Sequence, residues 1–193
     1  MKYSETIAAI ATGMNPSGIG IIRVSGEDSF QIASEIFKIK SGKQLLQFED
    51  RHAYYGFIYD DEKLIDEVLL LPMKAPHSFT KEDTIEINCH GGIFVMNKVL
   101  EVVVKYGARI AEPGEFTKRA FLNGRFDLSE AEAVIDLIHS KNEYALNNSL
   151  KQLTGKLYNK IKDIREAILY EIAFIESALD DPEHISLDGY QKK

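Results

Sequence analysis

Thiol chemistry in this chain is confined to one residue, Cys89. No internal disulfide can form, and an intracellular, reducing setting is the expectation. Long apolar runs are missing as well. The opening MKYSETIAAIATG has a short apolar stretch broken by Gly13, without the extended core and cleavage site of a secretory signal. No window approaches the roughly 18 continuous apolar residues of a membrane-crossing helix. Positive charge is scarce: 23 Lys and Arg stand against 30 Asp and Glu, a formal net charge of −7. That balance argues against a general nucleic-acid or membrane surface, which needs a concentrated basic field, but it leaves room for a local basic pocket. A soluble, cytoplasmic protein is expected.

Three chemistries are hinted at and left incomplete. Gly13 and Gly18 have the spacing of a phosphate-binding loop, but Ile19-Gly20 stands where that loop needs Lys and Ser or Thr. Gly18-Ile19-Gly20 meets Arg23 where a dinucleotide fingerprint needs its third glycine. Cys89 and His90 are neighbours on an extended chain, so they point to opposite faces and cannot easily serve as nucleophile and base. His52, His77 and His139 show no metal-ligand spacing. Cys89 reads as a small buried thiol before a Gly-Gly turn.

What is present suits one large domain or two small ones. Residues 6–11 and 19–24 read as short strands flanking a turn-rich loop, and a helix follows with Phe30, Ala33, Ile36 and Phe37 on its apolar face. Residues 38–50 give no clear pattern. Residues 52–59 and 64–71 suggest a hairpin turning at 60–63, with Leu69-Leu70-Leu71 covered on both sides. Residues 84–89 alternate as a strand, 93–106 form an apolar helix closed by Gly107, and 108–111 return as a strand. This order predicts an α+β N-terminal domain with a mixed sheet.

From residue 110 to 138 the chain changes character. A turn at Pro113-Gly114 and a basic segment with Lys118, Arg119 and Arg125 lead to a helix start in which Ser129 caps and Glu132 completes a capping box. A short helix over 130–139 and a very long one over 142–179 are then expected. The long one carries Leu146, Leu150, Leu153, Leu157, Ile161, Ile164, Ile168, Ile172, Ile175 and Leu179 at intervals of four and three, an 11-residue rhythm that fits a bundle helix. Two helices cannot bury that stripe, so an all-α, incomplete bundle is predicted, with its other members supplied elsewhere. Asp180-Asp181-Pro182 should stop the helix, with a frayed polar tail at 183–193. The domain boundaries read as 1–117 and 118–193.

Arg23, inside an otherwise apolar strand, and Glu86, on the polar face of its own, are either solvent-facing sheet residues or part of a site. With Arg125 they can line one cleft suited to a small planar ligand bearing N–H donors and a carboxylate tail.

The runs PGEFTKRAFLNGRFDLSEAEAVIDLI and SFTKEDTIEINCHGG, with the opening TIAAIAT and GIGIIRVSG, resemble the MnmE (TrmE) family of tRNA-modification GTPases over essentially the whole chain. The resemblance implies an N-terminal domain that dimerises and binds folate, folded like the folate-binding domain of aminomethyltransferases, then the first segment of a helical domain. The family's G domain, with its GTP, Mg2+ and K+, has no counterpart in these residues. The resemblance implies 5-formyltetrahydrofolate or 5,10-methylenetetrahydrofolate as cofactor, held by Arg23, Glu86 and Arg125, with both Glu86 oxygens on the pterin donors. It implies a homodimer, the flavoprotein MnmG (GidA) and tRNA as partners, and modification of the wobble uridine. Relatives commonly have Lys where Arg125 stands, a basic residue is missing from the 13–18 loop, and Glu112 stands where Arg often precedes Pro-Gly-Glu-Phe. These departures leave a second reading open, a non-enzymatic dimerisation and assembly module.

Overall fold

The computed structural model describes residues 5–41 and 47–180. Expectations for 42–46 and for the tail from residue 181 fall outside the described residues. The chain divides into two compact units, Met1–Arg125 and Phe126–Lys193. That division falls beyond the 117/118 boundary read from sequence, because Glu115–Leu122 forms a helix whose Glu115, Arg119 and Ala120 are buried in the first unit.

The first unit is built on a seven-stranded sheet, of order β3-β4-β5-β6-β2-β1-β7. Its strands are β1 (Ile7–Ile10), β2 (Gly20–Ser25), β3 (Phe37–Ile39), β4 (Tyr54–Asp60), β5 (Lys63–Met73), β6 (Thr84–Cys89) and β7 (Arg109–Ile110). All neighbours are antiparallel except β1 and β7, so the sheet is mixed and the α+β expectation holds. Helices α1 (Ser29–Ile36) and α2 (Ile93–Lys105) pack on the sheet. Side chains alternate across a strand. Ile22 and Val24 of β2, Ile85 and Ile87 of β6 and Leu70 of β5 therefore share a face, and they form one core with Ile32, Ile36, Met96, Val99 and Val103 of the helices.

Three local expectations change. The α1 helix stops at Ile36, and Phe37 turns extended to open the edge strand β3. It stays fully buried all the same. Leu69-Leu70-Leu71 is not covered on both sides: Leu70 is buried while Leu69 is 48% exposed, because the α1 and α2 core occupies only one face. The supposed basic linker is largely helix α3 (Glu115–Leu122), entered through Gly114 at φ +76, a left-handed geometry that glycine accepts without strain.

The second unit holds α4 (Leu128–His139), α5 (Glu143–Leu153) and α6 (Lys156–Asp180). The cap of α4 lies two residues earlier than expected. Asp127 accepts from the Glu130 amide and Glu130 reaches back to the Asp127 amide, a reciprocal box, while Ser129 Oγ only buttresses Asp127. The expected long helix is two helices, because Thr154 closes α5 and Gly155 takes φ +72. The apolar stripe crosses that break. Its α6 members Ile161, Ile164, Ile168 and Ile172 are 56%, 53%, 54% and 45% exposed. Among the described residues no helix is long and apolar enough to cross a membrane.

Candidate functional site

All three predicted site residues lie in the first unit, and the structure brings them together. In the antiparallel register Arg23 of β2 stands opposite Glu86 of β6, which stands opposite Leu71 of β5. These positions share the sheet face turned away from the α1 and α2 core. Arg23 donates through Nε (2.9 Å) and Nη2 (2.7 Å) to the same oxygen, Glu86 Oε1. Glu86 Oε2 and Arg23 Nη1 make no hydrogen bond among the described residues. They leave one acceptor and one donor, in a pair whose side chains are 24% and 18% exposed.

Aromatic rings close one side. The Arg23 guanidinium lies 5.1 Å from the Phe79 ring centre and 5.7 Å from that of Phe116. The Arg125 guanidinium lies 4.8 Å from the same Phe79 ring and donates to the Ser78 carbonyl at 3.0 Å. All three ring contacts are within cation–π range. Burial, and secondarily the positive charge of Arg23, pulls the Arg125 pKa below the ordinary guanidinium value, although the group stays protonated. The arrangement can receive a flat, partly polar ring: its hydrogen-bonding edge on Glu86 and Arg23, its face on Phe79, and anionic groups on the guanidiniums. Sequence reasoning missed Phe79 and Phe116, since only the loop and helix geometry place them here. The SFTKED run carried Phe79, but nothing in its spacing pointed to Arg125.

Beside this cluster lies a buried ionic network. Arg119 is fully buried and bonds Glu115 (3.0 Å) and Glu82 (3.2 Å to Oε2), and Glu82 also accepts from Ser25 Oγ (2.8 Å). Glu115 further accepts from Arg109 (2.7 Å) and from the Glu112 amide (2.8 Å). The Arg109 bond, followed by the amide and Arg119, outweighs burial and holds the Glu115 carboxyl down at about 2.

Cys89 and His90 do not form a catalytic pair. The Cys89 thiol is buried against the Gly20 carbonyl and pushed up to about 11 by burial, then by Asp66. His90 turns out to solvent and binds Asp66 through Nδ1 at 2.7 Å, which raises its pKa. The glycine-bearing loop after β1 runs into strand β2 rather than into a helix, so its amides have no helix N-terminus to join. Among the described residues no group of three or more His, Cys, Asp or Glu is placed to hold a metal ion.

Residues 6–125 match the family model described as the N-terminus of the GTP-binding protein TrmE, and residues 128–192 match that of the MnmE helical domain. The chain belongs to the MnmE (TrmE) family. Three relatives named tRNA modification GTPase MnmE illustrate the similarity. The protein of Lachnoclostridium phytofermentans is 59% identical over 191 residues, covering 98% of this chain and 42% of that protein. That of Clostridioides difficile is 49% identical over 197 residues (100% of this chain, 43% of the relative). That of Geobacillus thermodenitrificans is 48% identical over 186 residues (95% and 40%). The chain thus carries the family's N-terminal and helical domains and spans about two fifths of the length of these MnmE relatives.

Proposed function

We propose that the chain is the folate-binding and dimerising portion of an MnmE-like tRNA-modification GTPase, cytoplasmic, acting with MnmG to install the (carboxymethyl)aminomethyl group on the wobble uridine of tRNA. One observation carries the folate reading: the Arg23–Glu86 pair and Arg125 converge on the single ring of Phe79. The residues present fit a reduced folate such as 5-formyl- or 5,10-methylenetetrahydrofolate. Glu86 accepts the pterin N–H donors, with Oε2 clear of Arg23, which donates to Oε1. Arg23 Nη1 faces the pterin carbonyl, Phe79 supports the ring, and Arg125 receives the formyl group or glutamate tail. When bound, the folate supplies the one-carbon unit. GTP, Mg2+ and K+ would belong to a G domain outside these residues.

Dimerisation through the first unit is supported by an apolar row on the open sheet face, where Tyr55 and Leu69 stand opposite each other, 43% and 48% exposed. The bare α6 stripe favours the second reading, an assembly module without folate function. Calorimetry with 5-formyltetrahydrofolate separates the two. Binding by the wild-type chain that is lost in Glu86→Ala, with the dimer intact by sedimentation, is expected. Unchanged affinity in Glu86→Ala removes the site assignment, and a dimer that no folate titration saturates favours the assembly module.

A further inference from the structure

The loop before β6 and the end of α3 are fastened to each other at four points. Arg119 donates to Glu82 (3.2 Å), Asn123 Nδ2 to the Thr80 carbonyl (2.7 Å), Lys81 Nζ to the Gly124 carbonyl (2.8 Å) and Arg125 to the Ser78 carbonyl (3.0 Å). The loop is also tied within itself, Ser78 Oγ donating to the Glu82 carbonyl at 2.5 Å. Lys81 sits at φ +59, a left-handed geometry that a residue with a side chain keeps only where its surroundings over-determine it. The residues before and after Phe79 are therefore each held by the carbonyl, one by Arg125 and one by Asn123. The Arg125 guanidinium also lies over the Phe79 ring, whereas the Asn123 side chain bonds the Thr80 carbonyl.

We propose that Asn123 is a positioning residue. By holding the Thr80 carbonyl it keeps the Phe79 ring in place before a ligand arrives, so the ring is not ordered at the expense of binding. The inference rests on the folate reading above. Its basis is separate: a short side-chain bond to a loop carbonyl one residue from the shared ring.

The test uses the 193-residue chain, with calorimetric titration of 5-formyltetrahydrofolate, thermal unfolding and amide hydrogen exchange on the same samples. Asn123→Ala weakens folate binding about 5- to 10-fold, the range set by one net hydrogen bond. It speeds exchange in residues 78–82 alone and lowers the unfolding temperature by no more than about 2–4 °C, the share of one hydrogen bond, and Asn123→Gln, which keeps the amide donor, recovers most of the affinity. Should Asn123→Ala fail to fold, Lys81→Met loosens the same loop from Gly124 and gives the same localised exchange with a smaller affinity loss. Wild-type binding with equal binding by the variant overturns the proposal and leaves the folate reading standing. A larger fall in unfolding temperature with faster exchange throughout the unit also overturns it, since Asn123 is then only structural. A wild-type chain that binds no folate overturns both.

Discussion

Replacing Glu115 by Gln should make the first unit lose stability in a pH-dependent way. Glu115 opens α3, where a carboxylate also suits the helix N-terminus, and it is 4% exposed between Arg109 and Arg119. Its carboxyl falls from 4.5 to about 2 in the folded state. The folded value lies below the unfolded one, so the stabilisation is fully present above pH 4.5 and drains away as the pH falls towards 2. A depression of that size corresponds to on the order of 3 kcal/mol at neutral pH, shrinking to roughly 1 kcal/mol near pH 3. Glu115→Gln keeps the volume but removes the charge, and the fully buried Arg119 keeps Glu82 and the Glu5 carbonyl but loses a carboxylate partner. Urea unfolding followed by circular dichroism should place the variant below wild type by about 3 kcal/mol at pH 7, with the gap closing towards about 1 kcal/mol at pH 3. No gap at pH 7, or a gap of constant size across that range, would refute the reasoning.

Two further outcomes follow from the structure. Asp127→Ala should cost the second unit about 1 kcal/mol in chemical denaturation while Ser129→Ala costs clearly less, because only Asp127 accepts the Glu130 amide; equal losses would contradict the cap assignment. Cys89, 3% exposed with its thiol raised to about 11, should resist a disulfide reagent at pH 8 until the chain is unfolded, and rapid labelling of the native protein would count against its burial.

Much of this fold was legible because apolar periodicity and burial agree. The alternation of Thr84–Cys89 and the apolar run Ile93–Lys105 mark β6 and α2, and both form where the pattern places them. Where sequence reasoning slipped, a local conformational choice competed with an apolar pattern. The stripe continues in rhythm across Gly155, yet a left-handed glycine ends the helix. Phe37 fits an α1 face as well as a strand, and pairing with Ile58 decides for the strand. Helix α3 hid behind its charges, although Glu115 and Arg119, four apart, are a helical pair. The polar site residues stood out as charges on sheet positions. Their companions, Phe79 and the clip at Thr80 and Asn123, depend on loop geometry, which no spacing encodes.

The central claim is that Arg23, Glu86, Phe79 and Arg125 form one folate site. Its most direct test is a nuclear magnetic resonance titration of the chain with 5-formyltetrahydrofolate, following the Arg side-chain Nε–H signals and the Phe rings. Saturable shifts at Arg23, Arg125 and Phe79, with α5 and α6 unmoved, are predicted. A titration that saturates elsewhere on the chain, or that moves none of these signals, would contradict the account.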